Sequence, residues 1–497
     1  MPKLLLINPA NPFNGYHVPL WLRKQRWLNR VLNFSGVSLF PPLNLGLLAA
    51  MTPSDWKVSL QDGCVEPIDF EEDADLVGLT SLTGNANSAY EIADRFRARG
   101  TRVVMGGAHV TVLPQEALQH CDAVALGEAE GSWETLLRDF RQGQLKPVYR
   151  GTKYHDMKGN AWARRDLFQK SRYLVPNTIE TSRGCPYDCE FCSVTAINGG
   201  TYRVRPIEEV IPELETFENH RVFFVDDIIN GHPRHAKELF RAMIPLKLYW
   251  GAQATINIAR DEELLELAAA SGCKFVFLGL ESFTSQDLRK LGRFEDWRRN
   301  FFIYLKKIQD KGITIWGAFV LGLDSDNLES LEETVENALE AGLDFAQFTI
   351  LTPLPGTKTF TNLFRDGRIF NFDWKQYTYG GVVINPKQMS EHELASQFIR
   401  SWRKFYSLRS IWRRLRLWPI DRQNMVVWAV NFGINRSFRY SLEKLVVAPR
   451  SAPPAYLNAG NESLLPETGI YSIDRLYHNR LHIAGDKPVT QTAPPSD

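Results

Sequence analysis

Short apolar runs alternate with segments of helical period along most of this sequence, and they do so in two separate series. From Lys3 to about Arg150 the runs are KLLLIN, WKVSLQD, ADLVGLTS, RVVMGG and CDAVALG, spaced by stretches such as NANSAYEIADRFRARG in which apolar residues recur every three or four positions. Strands that alternate with helices run parallel, because each helix returns the chain to the same end of the sheet. A doubly wound, Rossmann-like parallel sheet is therefore predicted for residues 1–150, with ligands in the crevice at the carboxyl ends of its strands. Those ends carry Asn8, Ser81 with Thr83, Gly106 with Gly107, and Gly127 with Glu128. Glycine after a strand serves a turn as readily as a ligand, but four such ends in one domain point to a bound, phosphate-bearing cofactor.

The second series begins at Val175 and has six runs, NTIETS, RVFFVDD, LYWGAQA, FVFLGLES, TIWGAFVLG and FAQFTILTP, each followed by a helical segment. Six βα units predict a partial TIM-type barrel over residues 175–355, with chemistry at the carboxyl ends of its strands. Residues 151–174 are polar, lack a clean period and read as a linker. After Pro355 the alternation stops, and residues 356–483 read as a mostly helical extension in which SEHE at Ser390 fits a capping box. Residues 484–497 are short of apolar side chains and are expected to be disordered. The aromatic, basic insertion Tyr16 to Phe40, where a short βα loop would suffice, is expected to cover a ligand or contact another domain, or to form an ordinary surface helix.

Composition excludes more than it identifies. An apolar fraction of 44%, a charged fraction of 23% and a formal net charge of +1 describe a globular protein with no electrostatic demand for nucleic acid. No run approaches the 18 or so apolar residues of a membrane span, and MPKLLLINPANP reads as a first strand rather than a signal peptide. Six cysteines in 497 residues, three of them clustered, argue against a disulfide framework. A cytoplasmic location is the expectation. The tail IWRRLRLWPIDRQNMVVW mixes Trp412, Trp418 and Trp428 with Arg413, Arg414 and Arg416; it reads either as a helix pair packed on the barrel with a basic solvent face or as a peripheral contact with the inner membrane face.

The clustered cysteines are Cys185, Cys189 and Cys192, a C-x3-C-x2-C spacing just after the first barrel strand. Structural zinc takes four closed ligands, usually as two separated pairs, and here Cys64, Cys121 and Cys273 are isolated, although His220, His232 or His235 remain candidates for a fourth ligand. An iron-sulfur cubane held by three thiolates instead leaves one iron open to a substrate or cofactor.

With Phe191 before the last cysteine, this loop resembles that of the radical S-adenosylmethionine (SAM) enzymes. The resemblance implies a [4Fe-4S] cluster held by Cys185, Cys189 and Cys192, whose open iron chelates SAM and whose electron cleaves it to a 5′-deoxyadenosyl radical. It also implies cofactor contacts for Asp226 and Asp227 at the end of the second strand, Gln253 at the third, Glu281 at the fourth, and the glycine-rich fifth strand at Gly317, where a bare backbone approaches the ligand. The bland reading of the two aspartates is capping of the next helix. Arg203 and Arg205 pair either with the cofactor's charge or with solvent.

A doubly wound domain ahead of such a barrel resembles the cobalamin-binding subclass of the family, through LLINPANP, PPLNLGLLAA, LVGLTSLT, VVMGGAHVTVLPQEAL and ALGEAEGSWETLL. On that resemblance Ser81, Thr83, Gly106, Gly107, Gly127 and Glu128 line a cobalamin crevice, and His109 contacts the nucleotide tail or packs. No Asp-x-His-x-x-Gly signature accompanies His109, so no cobalt-ligating histidine is implied. The segments TPLPGT, RDGRI and INPKQMSEHEL resemble members that act on hopanoids, tetrapyrroles and other small apolar molecules. The implied activity is cobalamin-dependent methylation of an unactivated carbon, with an electron donor such as flavodoxin or ferredoxin. The alternatives are a cyclase or ring-rearranging enzyme with the same cofactors, and a non-catalytic corrinoid or redox sensor.

Overall fold

The computed structural model describes residues 1–10, 38–151, 154–281, 297–415 and 447–454. The first unit contains β1 (Lys3–Asn8), α1 (Leu43–Met51), β2 (Lys57–Asp62), β3 (Leu76–Thr80), α2 (Ala86–Ala98), β4 (Arg102–Gly106), α3 (Ala108–Val112), α4 (Pro114–Ala117), β5 (Ala123–Leu126), α5 (Trp133–Arg141) and β6 (Val148–Arg150). Its six strands are all parallel in the order β2-β1-β3-β4-β5-β6. The order reverses at β1, so the crevice between the carboxyl ends of β1 and β3 is the place where such sheets take ligands. Leu4 to Ile7 are all buried, as a parallel strand covered on both faces requires.

The second unit contains β7 (Thr178–Ile179), β8 (Ser182–Gly184), α6 (Ser193–Asn198), β9 (Tyr202–Val204), α7 (Ile207–Glu215), β10 (Arg221–Phe224), α8 (Pro233–Met243), β11 (Tyr249–Ala254), α9 (Glu262–Ala270), β12 (Cys273–Glu281), α10 (Trp297–Asp310), β13 (Thr314–Leu321), α11 (Leu328–Glu340) and β14 (Phe345–Ile350). Six strands form a parallel sheet in the order β14-β13-β12-β11-β10-β7, the expected part-barrel, while β8 and β9 form a separate antiparallel pair. The barrel strands alternate. On β13, Ile315, Gly317, Phe319 and Leu321 are buried against the helices, whereas Trp316, Ala318 and Val320 face the interior and are half-buried.

The extension adds α12 (Lys358–Arg365), α13 (Glu391–Phe405) and α14 (Leu408–Leu415). Ser390 and Glu393 form the reciprocal capping box of α13. Arg414 departs from the sequence expectation of a basic solvent face. It is 6% exposed and donates to the carbonyls of Leu343, Asp344 and Phe405. Trp418, Trp428 and Arg416 lie outside the described residues, as does the insertion up to residue 37. Of that insertion, Phe40 is described, with its ring 4.4 Å from that of Phe223 in the barrel.

The two sheets share a core. One face of the first sheet packs Leu4, Leu6 and Leu76 under Trp133 and Leu136 of α5. The other face, with Leu5, Ile7, Val77 and Leu79, is continuous through α2 and α3 with the apolar layer between the barrel strands and their helices. Gly356, in the turn between β14 and α12, sits at this junction with φ +87°, and a Cβ there would lie 2.7 Å from Cγ1 of Val112 on α3.

Candidate active site at the cysteine loop and the domain junction

The cysteine loop leaves the β8–β9 hairpin through Gly184, whose φ is +92° and where any Cβ would come within 2.0 Å of the Thr201 carbonyl. Only glycine makes that turn without displacing the backbone. The loop then carries Cys185, Cys189 and Cys192, and Cys192 N–H bonds to the Cys189 carbonyl at 3.0 Å. It is tied down along its length. Asn257 donates to the Tyr187 hydroxyl (2.9 Å), Thr195 to the Tyr187 carbonyl (3.0 Å), Thr359 N–H to the Glu190 carbonyl (3.0 Å), and Lys358 pairs with Asp188. Phe191 packs against the shared core.

The chemistry of the donors fits an iron-sulfur cluster. Burial pushes the thiols of Cys185 and Cys192 up to about 12, so a metal must draw off their protons on binding. Among the described residues, no three His, Cys, Asp or Glu side chains converge on a point that would hold a single metal ion. The candidate fourth ligands for zinc fare poorly: His220 lies at the amino-terminal end of β10, away from the loop, and His232 Nδ1 accepts the His235 N–H at 3.1 Å.

Asp226 and Asp227 follow β10, but their carboxylates turn towards the chain. Asp226 is 1% exposed and accepts from Thr181 N–H (2.6 Å), Thr181 Oγ1 (2.5 Å) and Ser182 Oγ (2.8 Å). Burial lifts this carboxyl to about 7 against the opposing effect of those donors. Asp227 accepts from Gly184 N–H at 2.8 Å and faces Asn198 Nδ2 at 3.4 Å, and burial lifts it to about 6. Neither caps the next helix, which His232 caps instead. The pair fixes the segment that delivers Cys185.

Around the barrel rim, Gln253 is exposed on the interior face of β11. Glu281 ends β12 with φ +60°, where the pairing with β13 also shifts register. A left-handed glutamate costs on the order of 1 kcal/mol or more, and such strain collects at functional sites. Gly317 is a correction. Its missing Cβ would point at Leu280 and Leu343 (both 2.8 Å) in the helix-side layer, so its bareness relieves packing rather than admitting a ligand. An aromatic cluster that sequence reading missed, Phe223, Phe275, Phe277 and Trp316, lines the barrel below the rim with tilted and edge-on rings whose centroids are 6.0–6.3 Å apart. Its signal was available in the period of two along β10, β12 and β13.

At the crest of the first sheet, Gly106, Gly107 and Gly127 are half-buried, and the latter two have positive φ, 98° and 76°. At Gly107 a Cβ would lie 2.6 Å from the Ser81 carbonyl, so its bareness serves the close approach of β3 and β4 rather than a ligand. Three other expected contacts turn inward. Ser81 is fully buried, Thr83 Oγ1 lies 3.2 Å from His109 Nδ1, and the His109 ring has no exposed side-chain surface. Burial drives His109 down to about 3. Its ring packs edge-on against Trp374 of the extension, 5.4 Å between centroids, and Trp374 Nε1 donates to Glu116 at 2.8 Å. His109 therefore fastens the extension to the first domain and is closed to a corrin in the crevice.

Glu128 is engaged as well. It receives Nη1 of both Arg183 and Arg203 at 2.7 Å. Arg203 and Arg205 are 6% and 4% exposed, which rules out a solvated pair; Arg205 joins Arg165 on Glu213, each at 2.7 Å.

Both units have known relatives. The sequence profile of the Radical SAM superfamily matches residues 179–338, and that of the B12 binding domain matches residues 29–137. The chain is similar to the bacteriochlorophyllide d C-12(1)-methyltransferase of Chlorobaculum tepidum, 32% identical over 80% of this chain and 89% of that protein. It is also similar to the anaerobic magnesium-protoporphyrin IX monomethyl ester cyclase of Rubrivivax gelatinosus, 27% identical over 67% of this chain and 66% of the cyclase. In fold it resembles the radical SAM methyltransferase TsrM of Kitasatospora setae, solved with cobalamin and a [4Fe-4S] cluster, with a TM-score of 0.60 at 16% identity, covering 88% of this chain and 99% of that one.

Proposed function

Since the chain belongs to the radical SAM enzymes that carry a B12-binding domain, we propose that it is a cobalamin-dependent C-methyltransferase acting on an unactivated carbon of a small, apolar, ring-bearing metabolite such as a tetrapyrrole. The observation that carries the reading is the match, at 32% identity, of 80% of this chain with 89% of a protein named as a bacteriochlorophyllide methyltransferase. The cyclase reading is the second one, and it covers less of its relative at lower identity, 66% and 27%.

When bound, the cluster supplies the electron that splits SAM and the corrin carries the methyl group. The chain supplies position and dryness. Cys185, Cys189 and Cys192 hold three corners of the cluster and leave the fourth to the cofactor. Asp226 and Asp227 fix the strand that leads into that loop, through Thr181, Ser182 and Gly184. Gln253 and Glu281 are the polar rim side chains that would contact SAM, and the tilted rings of Phe223, Phe275, Phe277 and Trp316 make the space below the rim apolar, which suits a radical site. Gly106 and Gly127 would receive the corrin's nucleotide tail at the crest of the first sheet.

No helix among the described residues is long and apolar enough to cross a membrane. The reading includes a low-potential donor of the flavodoxin or ferredoxin type and, for an apolar substrate, contact of residues 408–440 with an anionic membrane surface. Trp412 and Arg413 are exposed there. Unchanged liposome co-sedimentation after removal of that segment ends the membrane part.

The test uses the full chain reconstituted anaerobically with iron and sulfide, then given hydroxocobalamin, reductant and SAM. Bound corrinoid with both S-adenosylhomocysteine and 5′-deoxyadenosine is expected. Corrinoid with 5′-deoxyadenosine and no S-adenosylhomocysteine transfers the reading to the cyclase type, and no corrinoid overturns it.

A further inference from the structure

We propose that Glu128, held by Arg183 and Arg203, couples the corrinoid site to the cluster site, so that loading either cofactor tightens the binding of the other. This rests on the cobalamin and cluster reading above and adds a linkage between the two sites.

The geometry is specific. Glu128 follows β5 on the crest of the first sheet, adjacent to Gly127. Arg183 and Arg203 are the directly opposed central pair of the β8–β9 hairpin, and Arg183 stands two residues before Cys185. One carboxylate of the first domain thus grips both strands of the hairpin that leads into the cysteine loop. All three nitrogens of Arg183 are engaged: Nη1 goes to Glu128 at 2.7 Å, Nη2 to Glu130 and Glu180 at 2.8 Å, and Nε to Glu180 at 3.0 Å. Arg203 uses Nη1 on Glu128 and on the His155 carbonyl, while its Nε and Nη2 are buried without hydrogen-bond partners. Removing Glu128 therefore leaves a buried guanidinium without its counter-charge, a larger loss than that of a surface pair. The five side chains are 7–21% exposed, so solvent screens them weakly.

The linkage follows from shared ordering. With iron absent, the loop holds three partly or wholly buried thiols and no metal to gather them, so the hairpin loses a restraint. The arginines meet Glu128 in this geometry only while β8 and β9 keep their register. A corrin resting on Gly127 needs the same Gly127–Gly131 turn fixed. Whichever ligand binds first meets the cost of ordering the turn and the hairpin, and the second binds to a site already ordered. Linkage then requires the effect to be reciprocal. The continuous core beneath, with Gly356 against Val112, leaves little freedom for the domains to separate and dissipate the coupling.

The test needs no turnover. Hydroxocobalamin affinity is measured by equilibrium dialysis on the iron-free and the cluster-loaded full chain, and loss of cluster absorbance to a chelator is followed with and without corrinoid. The wild type is expected to bind corrinoid on the order of 5-fold or more tightly when loaded, and corrinoid is expected to slow iron loss. In Glu128→Gln the affinity ratio is expected to fall to about 1-fold, which is the absence of coupling, whereas a general packing defect would weaken both forms alike and preserve the ratio. If Glu128→Gln does not fold, Arg203→Lys, which keeps the charge and gives up the fork, takes its place. Equal corrinoid affinities in the two wild-type forms overturn the coupling and leave the cobalamin reading intact. A wild-type ratio in the folded variant overturns the assignment to this cluster of side chains. No corrinoid binding to either form overturns both readings.

Discussion

Asp227 accepts the backbone N–H of Gly184 at 2.8 Å, one residue before the first cysteine of the loop, although the two are 43 positions apart in the chain. A carboxylate at the end of one barrel strand thus sets where the thiols begin. Asp227→Ala leaves that N–H without its acceptor, a cost of about 1–3 kcal/mol. Iron per chain after reconstitution is expected to fall, and the electron paramagnetic resonance signal of the reduced cluster to broaden or vanish. Full iron content with an unchanged signal would show that Asp227 has no positioning role.

Cys185→Ala, Cys189→Ala and Cys192→Ala are each expected to abolish cluster assembly and SAM cleavage. Cys273→Ala is the control, since that thiol is buried in the barrel wall and should leave iron and sulfide content unchanged. Retained cleavage in any of the first three would refute the ligand assignment.

Gly356→Ala tests the junction of the first domain, the barrel and the extension. The new methyl group meets Val112 Cγ1 at 2.7 Å on a backbone with positive φ, and the combined overpacking and strain should cost about 1–3 kcal/mol. A lower denaturation midpoint is expected, with faster amide exchange over residues 108–112. Wild-type stability would mean that the extension yields freely at this point.

His109 gives a pH signature. Its folded-state value lies near 3, depressed by burial from an ordinary 6.5. The charged group facing it is Glu116 at 3.8 Å, with Thr83, Tyr90 and Trp374 as its other neighbours. The unfolded chain takes up a proton below pH 6.5 and the folded chain does not, so stability present above pH 6.5 is lost as pH falls towards 3. Between pH 6.5 and 5.5 the loss amounts to about 1 kcal/mol. His109→Gln should lack this increment, as urea unfolding at the two pH values would show; equal pH slopes for variant and wild type would rule it out.

Much of this architecture was legible because it rests on local pattern. The six barrel strands lie where NTIETS to FAQFTILTP place them, and Ser390 with Glu393 caps α13 as SEHE suggests. The β8–β9 hairpin was missed because its strands are three residues long and Arg183 meets Arg203 only across the whole cysteine loop. The expected cofactor contacts of Asp226, His109 and Glu128 depended on tertiary partners. Composition shows a carboxylate at a strand end, but it cannot show that Thr181 and Ser182 have already taken its oxygens. Gly317 is different, since the alternation of Trp316 inward and Phe319 outward already assigns it to the helix side.

The apolar face formed by Leu5, Ile7, Val77 and Leu79 merges with the layer between the barrel strands and their helices, and this bears on whether either half can stand alone. A recombination event that cut the gene near residue 150 would leave that face against a foreign surface, exposing a patch that a soluble chain rarely tolerates. Cutting this chain between its two units is therefore expected to cost both of them solubility, each half being the cover of the other.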